Sequence, residues 1–174
     1  ALQYFNNCII EADKRLLSIF RRSFNSENIL EHLSISNDIK KLKNIDKVIF
    51  AFDLPKLFRN SINDFKKSKG YLIPNNTSKI KMSKNLLQFI NKKKIGITWR
   101  SKREIIGKDK SIDLKSFQHL ILPNENFEFF NLQYGNVQEE IESLNKEKKT
   151  KIVSVENLDL FNDFEKIAAL LVNL

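Results

Sequence analysis

Two short stretches carry residue types that could handle an anionic, ring-bearing ligand. Trp99-Arg100-Ser101-Lys102-Arg103 sets three cations and a hydroxyl within five residues, enough to hold a diphosphate by charge and hydrogen bonding. Leu132-Gln133-Tyr134-Gly135 offers an amide that both donates and accepts, an aromatic face for a base or sugar, and a glycine that lets backbone approach a ligand closely. Each also has a plainer reading. The first is a solvated loop in a Lys-rich chain, and the second a β-to-α turn that needs a glycine. Neither stretch is a specific motif alone, and the sequence holds no Gly-x-Gly-x-x-Gly, P-loop, His-Glu-x-x-His or nucleophile elbow. Glu139-Glu140 falls in a stretch of helical pattern, where neighbouring carboxylates read as solvated charge rather than as acid and base.

Other reactive side chains are few. The single cysteine, Cys8, excludes an internal disulfide and a Cys-based metal site, and its setting in Asn7-Cys8-Ile9-Ile10 reads as a buried, inert thiol. His32 and His119 stand far apart with no ligand spacing around them. No metal ligands are visible and no metal or other cofactor is expected.

The formal charge of +9 comes mainly from Lys, in runs such as Lys66-Lys67, Lys92-Lys93-Lys94 and the stretch from Lys146 to Lys151. A nucleic-acid or anionic-membrane partner would fit that charge. Against nucleic acid, only six Arg are spread along the chain, with no basic patch interleaved with aromatics. Frequent Lys, Asn and Ile together also follow from an AT-rich genome with no partner involved. No apolar run nears the ~20 residues that span a bilayer, and no signal peptide opens the chain, which points to a cytoplasmic protein and leaves peripheral membrane contact open.

The elements that must position these residues alternate. With 174 residues, 41% of them hydrophobic, and only four Gly and three Pro, the composition favours helices alternating with strands over a turn-rich β fold. Cys8 to Ala12 reads as a strand, Asp13 as the N-cap of a helix carrying Leu16, Leu17, Ile19, Phe20 and Phe24, and Ile29 to Leu33 as a second strand. Lys47 to Phe52 reads as a stronger strand, with Asp53 capping a short helix that has Pro55 in its first turn and reaches toward Phe65. Gly70 to Thr77 has turn character and leads into an amphipathic helix, Ser78 to Asn91.

A continuous β-branched run, Lys94 to Trp99, then predicts a strand covered on both faces. Arg100 to Lys110 reads as a loop, Asp113 to Leu122 as a helix, Phe127 to Leu132 as a strand, Val137 to Asn145 as a helix and Lys151 to Val155 as a strand. Asn162 to Leu174 is a last helix, with Asp163 and Glu165 near its positive end. Such alternation demands crossovers, hence an α/β fold with mostly parallel sheets. Ligands then belong at the carboxyl ends of the strands, where both candidate loops fall. Ala1 to Phe5 reads as the tail of a helix, and the last residues run apolar to the terminus without a stop signal, so both ends read as cut.

The order of segments resembles a known family. Asp13-Lys14-Arg15-Leu16-Leu17 with Arg21-Arg22-Ser23-Phe24, Asp53-Leu54-Pro55-Lys56-Leu57-Phe58-Arg59 and Gly70-Tyr71-Leu72 resemble the first domain of bacterial glycosyltransferases fused to tetratricopeptide repeats. The likeness runs on through Lys94 to Trp99, Lys110 to Leu114, Phe130 to Gly135, and Asp163-Phe164 with Ala168-Ala169-Leu170. That family is similar to the lipopolysaccharide heptosyltransferases and to the O-linked N-acetylglucosamine transferases. The resemblance implies two partial Rossmann-like domains of GT-B type: residues 1–75 the later part of an acceptor-side domain, 76–93 a linker helix, and 94–174 the early part of a donor domain.

It further implies a nucleotide-sugar donor, a sugar, lipid-linked or protein acceptor, and metal-independent transfer that stabilises the departing nucleoside diphosphate with cations and helix N-termini. On this resemblance Arg100, Ser101 and Lys102 are assigned to the donor phosphates, and Gln133, Tyr134 and Gly135 to positioning the donor. The family usually has a small or Gly-containing loop where Arg100-Ser101-Lys102 stands, and often Lys where Tyr134 stands. Its Gly-rich loop would precede Ala1 and its Asp-Thr and His would follow Leu174, so no catalytic residue is carried over. The competing readings are a noncatalytic interaction module of the same fold and, behind it, a basic nucleic-acid-binding protein.

Overall fold

Asp13 caps a helix. Its carboxylate accepts from the backbone N–H of Arg15 and starts a 3₁₀ turn, Lys14–Leu16, that runs into helix α1, Leu17–Phe24. Asn25, at φ 48°, ends that helix in the left-handed region. On either side of this helix lie strand β1, Ile10–Ala12, and strand β2, Ile29–Glu31, paired in parallel with Ile10 opposite Ile29. Arg21 fastens helix to strand through two N–H groups, Nε and Nη2, that donate to the carbonyl of Ile29 at 2.9 and 2.8 Å.

In a computed structural model the described residues are 7–32, 43, 45–65, 70–101, 107–121, 125–148 and 151–174, and the chain falls into two compact units, Ala1–Ile73 and Pro74–Leu174. The expected helix tail at Ala1 to Phe5 lies outside the described residues. In the first unit Ala12, Ile19 and Ile29 are buried. The segment before Pro74 is tied back to α1. Arg22 Nε donates to the Ile73 carbonyl at 2.7 Å, the Ile73 N–H donates to Ser23 Oγ at 2.8 Å, and Tyr71 stacks on Phe24.

One strand expectation fails here. Residues 47–50 make no ladder, and Ala51–Asp53 forms a 3₁₀ turn leading into helix α2, Leu54–Phe58. An apolar alternation makes a strand only beside a neighbour with free backbone groups. Among the described residues, 47–50 pair with no strand, and Val48, Phe50 and Phe52 stand exposed. Pro55 does sit in the first turn of α2, but Asp53 makes no side-chain cap and instead accepts from Lys56 Nζ. The helix stops at Phe58, short of the expected reach toward Phe65.

The second unit is a three-stranded parallel sheet in the order β3, β4, β5: Lys93–Ile97, Phe127–Asn131 and Ile152–Val153. Period-two alternation sends side chains to opposite faces. On one face Ile95, Ile97, Phe129 and Ile152 meet Leu114 of helix α4, Leu114–Phe117, and Ile141 and Leu144 of helix α5, Gln138–Lys148. On the other, Phe130, Leu132 and Val153 meet Met82 of helix α3, Asn76–Asn85, and Ala169 and Leu170 of helix α6, Phe164–Leu171. Both faces are covered, as the β-branched run predicts.

The stretch 76–93 packs within this unit. Asn75 caps α3, which begins two residues before the expected start, α3 packs on α6, and after Asn85 the backbone tightens into a 3₁₀ turn, Leu87–Phe89. Met82, Leu86 and Phe89 of the apolar stripe are buried, whereas Leu87 and Ile90 face solvent. The expected helix over Asp113 to Leu122 shrinks to one turn at α4, capped by Asp113. At the amino ends of the strands Glu128, only 5% exposed, is paired with Lys92 Nζ at 2.7 Å, so one of the basic runs serves the fold.

Gly96 is required by close approach. A methyl there would overlap Leu132 Cδ1 and come within 2.9 Å of Leu174 Cδ1. Gly96→Ala is therefore expected to destabilise the second unit by about 1–3 kcal/mol in denaturant unfolding.

The N-cap carboxylates predict an acid response. Arg15, through side-chain and backbone hydrogen bonds, holds Asp13 at about 2 instead of the usual 3.8. Asp163 is also lowered: burial alone would raise it, but hydrogen bonds from the side chain and backbone of Lys166 outweigh that. A depressed carboxylate stabilises above its unfolded pKa, and the contribution fades as pH falls through the folded one. Asp163→Ala is expected to lose about 1 kcal/mol at pH 7. In acid unfolding series the difference from the parent should shrink as pH drops below the usual 3.8.

Candidate functional site

The two stretches singled out in the sequence come together at the carboxyl edge of the second unit's sheet. Trp99 and Arg100 leave β3, while Gln133, Tyr134 and Gly135 leave β4. The side chain that joins them is Gln133, 1% exposed. Its Oε1 accepts from the backbone N–H of Trp99 at 3.1 Å and of Arg100 at 3.0 Å, and its Nε2 donates to the Tyr134 carbonyl at 3.1 Å. A buried amide with these partners is well satisfied, and it closes the gap between the two strand exits as a further ladder rung would.

The tie extends to β5. Asn131 Oδ1 accepts from the Gln133 N–H at 2.8 Å, and Asn131 Nδ2 donates to Ser154 Oγ at 3.4 Å. A line of amide and hydroxyl groups thus crosses the ends of all three strands. Asn131 and Ser154 carried no signal in the sequence reading. Polar residues at the last position of an apolar strand and just past its neighbour are the trace they leave.

Arg100 is held at the surface of this edge. Its Nη1 lies 3.1 Å from Glu140 Oε2, and its Nη2 donates to the Asn136 carbonyl at 3.3 Å. Glu140 in turn accepts from the Leu114 N–H through Oε1, at the start of α4. The carboxylate read as solvated charge is thus an internal partner, 26% exposed. The Ser101 N–H donates to Ser111 Oγ at 2.9 Å, and Ser111 is bonded in turn to the Gly107 carbonyl. Lys102 and Arg103 lie outside the described residues.

Tyr134 packs its ring against Phe161, centroids 5.6 Å apart and planes at 42°. Gly135 has φ 100°, a conformation open to glycine at no steric cost, which turns the chain from β4 toward α5. That glycine makes the turn, and it is exposed at the carboxyl edge.

A cavity of about 580 Å³ opens beside the exit of β5. Met82 and Phe89 line it together with Val153, and Ser154, Lys81 and Lys166 supply polar groups. Lys166 is already paired with Asp163 at 2.7 Å. Ser154 thus belongs both to the cavity and to the polar line along the strand ends.

Among the described residues no group of three His, Cys, Asp or Glu side chains is gathered as a metal site would need. Cys8 is half-buried, and both His32 and His119 are exposed. No helix of the described residues is long and apolar enough to cross a membrane. Comparison with family models, with curated proteins and with solved structures found no match to this chain.

Gln133→Leu keeps the bulk but strands the Trp99 and Arg100 N–H groups. A loss of about 1–3 kcal/mol is expected. Trp99 is the single tryptophan and is 3% exposed, so a red-shifted emission maximum would report the opening of this edge.

Proposed function

We propose that the chain is part of a glycosyltransferase and that the carboxyl edge of its second unit binds the diphosphate of a nucleotide-sugar donor. The observation that supports this best is the Gln133 amide, which brings the Arg100 loop and the Tyr134–Gly135 loop to one place. The resemblance assigns those same two loops to the donor. A parallel sheet covered on both faces leaves its strand ends as the ground for a ligand, in keeping with this reading.

In this proposal the second unit is Rossmann-like and the first belongs to the acceptor side, as in GT-B enzymes. Arg100, with Ser101 and Lys102, neutralises the donor phosphates and stabilises the nucleoside diphosphate as it leaves. Glu140 competes for Arg100 in the absence of ligand and orients it when ligand binds. The acceptor is a sugar, a lipid-linked glycan or a protein. No metal or other cofactor takes part, nucleic acid is not the partner, and the protein works in the cytoplasm.

A second reading is favoured by one observation. Arg100 is paired and the Gln133 amide is bonded internally, which would suit a noncatalytic module that keeps the fold.

The two separate on binding. Calorimetry with the whole chain is expected to detect a nucleoside diphosphate, and Arg100→Ala to weaken it about tenfold, in line with the ~1.5–3 kcal/mol of a charge-assisted hydrogen bond. Glu140→Gln keeps the acceptor for Leu114 and frees Arg100, so affinity should rise a fewfold. If the parent chain, shown to be folded by circular dichroism, binds no nucleoside diphosphate, the noncatalytic reading takes its place.

A further inference from the structure

We propose that Phe161, together with Tyr134, forms an aromatic platform that stacks on the base of a nucleoside diphosphate whose phosphates face Arg100. This rests on the nucleotide reading above and adds a residue that neither the spacing of the sequence nor the resemblance singled out.

Phe161 remains 54% exposed, while Leu158, three residues earlier, packs against the buried cluster formed by α3, α6 and the sheet. The loop between β5 and α6 holds it there. Asp159 Oδ1 accepts from the N–H of Phe161 at 2.8 Å and of Asn162 at 3.0 Å, and Asp159 Oδ2 accepts from Asn162 Nδ2 at 2.8 Å. The Asp163 N–H closes on the Asp159 carbonyl at 3.1 Å, leading into the cap of α6. One carboxylate thus organises the backbone that presents the ring.

The second ring is held as firmly. The Tyr134 carbonyl accepts from buried Gln133, and the backbone bends at Gly135 immediately after. Two rings in contact, 5.6 Å between centroids, are presented on hydrogen-bonded loop backbone and offer apolar faces to a third flat ring.

Charge beside the rings selects the occupant. The Arg100 guanidinium donates to the carbonyl of Asn136, two residues past Tyr134, so the cation is tied to the loop that carries one of the rings. A nucleoside diphosphate carries both groups in one molecule. Base stacking on aromatic side chains is tolerant of base identity, so the platform takes nucleoside diphosphates of any base.

The test is titration of the whole chain with each of the four ribonucleoside diphosphates and with inorganic pyrophosphate. It compares the parent chain, Phe161→Ala, Phe161→Leu and Phe161→Tyr, each verified as folded by circular dichroism and by the Trp99 emission maximum. The platform predicts a loss of about tenfold in nucleoside diphosphate affinity for Phe161→Ala and Phe161→Leu, recovery in Phe161→Tyr, and pyrophosphate binding unchanged throughout. Equal nucleoside diphosphate affinity in parent and Phe161→Ala overturns the platform and leaves the donor-site reading standing. Equal losses for nucleoside diphosphate and pyrophosphate also overturn it, because the ring would then act only by shaping the loop. A parent chain that binds neither probe removes the donor-site reading, and the platform with it.

Discussion

The carboxyl edge of the second unit depends on one buried amide. The β3–β4 ladder closes with the Leu132 N–H donating to the Ile97 carbonyl, and beyond it the two strands would splay into separate loops. Gln133 replaces the missing rungs, accepting two backbone N–H groups from one loop and donating to a carbonyl of its own. Apolar side chains could fill that space but could not satisfy the N–H groups of Trp99 and Arg100. The desolvation cost of leaving them bare makes the amide decisive. The position of Arg100 relative to Tyr134 follows from this contact, and any ligand at the edge inherits its geometry.

Packing beneath the edge makes it rigid. The sheet separates two apolar clusters, one shared with α4 and α5 and the other with α3 and α6, and Gly96 has no side chain because Leu132 and Leu174 occupy that space. The first unit presents a different balance: its buried residues gather around a two-stranded sheet and α1, while Val48, Phe50 and Phe52 remain in solvent. Fewer neighbours and the same apolar pattern give a turn where an extended strand was expected.

Three ion pairs serve the second unit. Lys92 neutralises Glu128 at the amino ends of the strands, Arg100 meets Glu140 at the carboxyl ends, and Lys166 meets Asp163 at the start of α6. In the proposed donor site the Arg100–Glu140 pair is the most consequential of the three, since a phosphate would compete with the carboxylate for the same guanidinium.

Local rules made much of this legible from the residues alone. Asp13, read as an N-cap, bonds the Arg15 N–H at a helix start because a short acceptor side chain reaches the first turn, whereas Asp53, read the same way, makes no cap and bonds Lys56 instead. The β-branched run at Ile95 to Thr98 marked a parallel strand covered on both faces, and Gly135 marked a backbone turn. Tertiary contacts decided the rest. Whether Lys47 to Phe52 pairs, whether Glu140 meets solvent or Arg100, and whether Gln133 faces a ligand or the next loop all depend on groups distant in sequence. Side-chain type sets what a residue can bond, but only the fold brings the partner within reach.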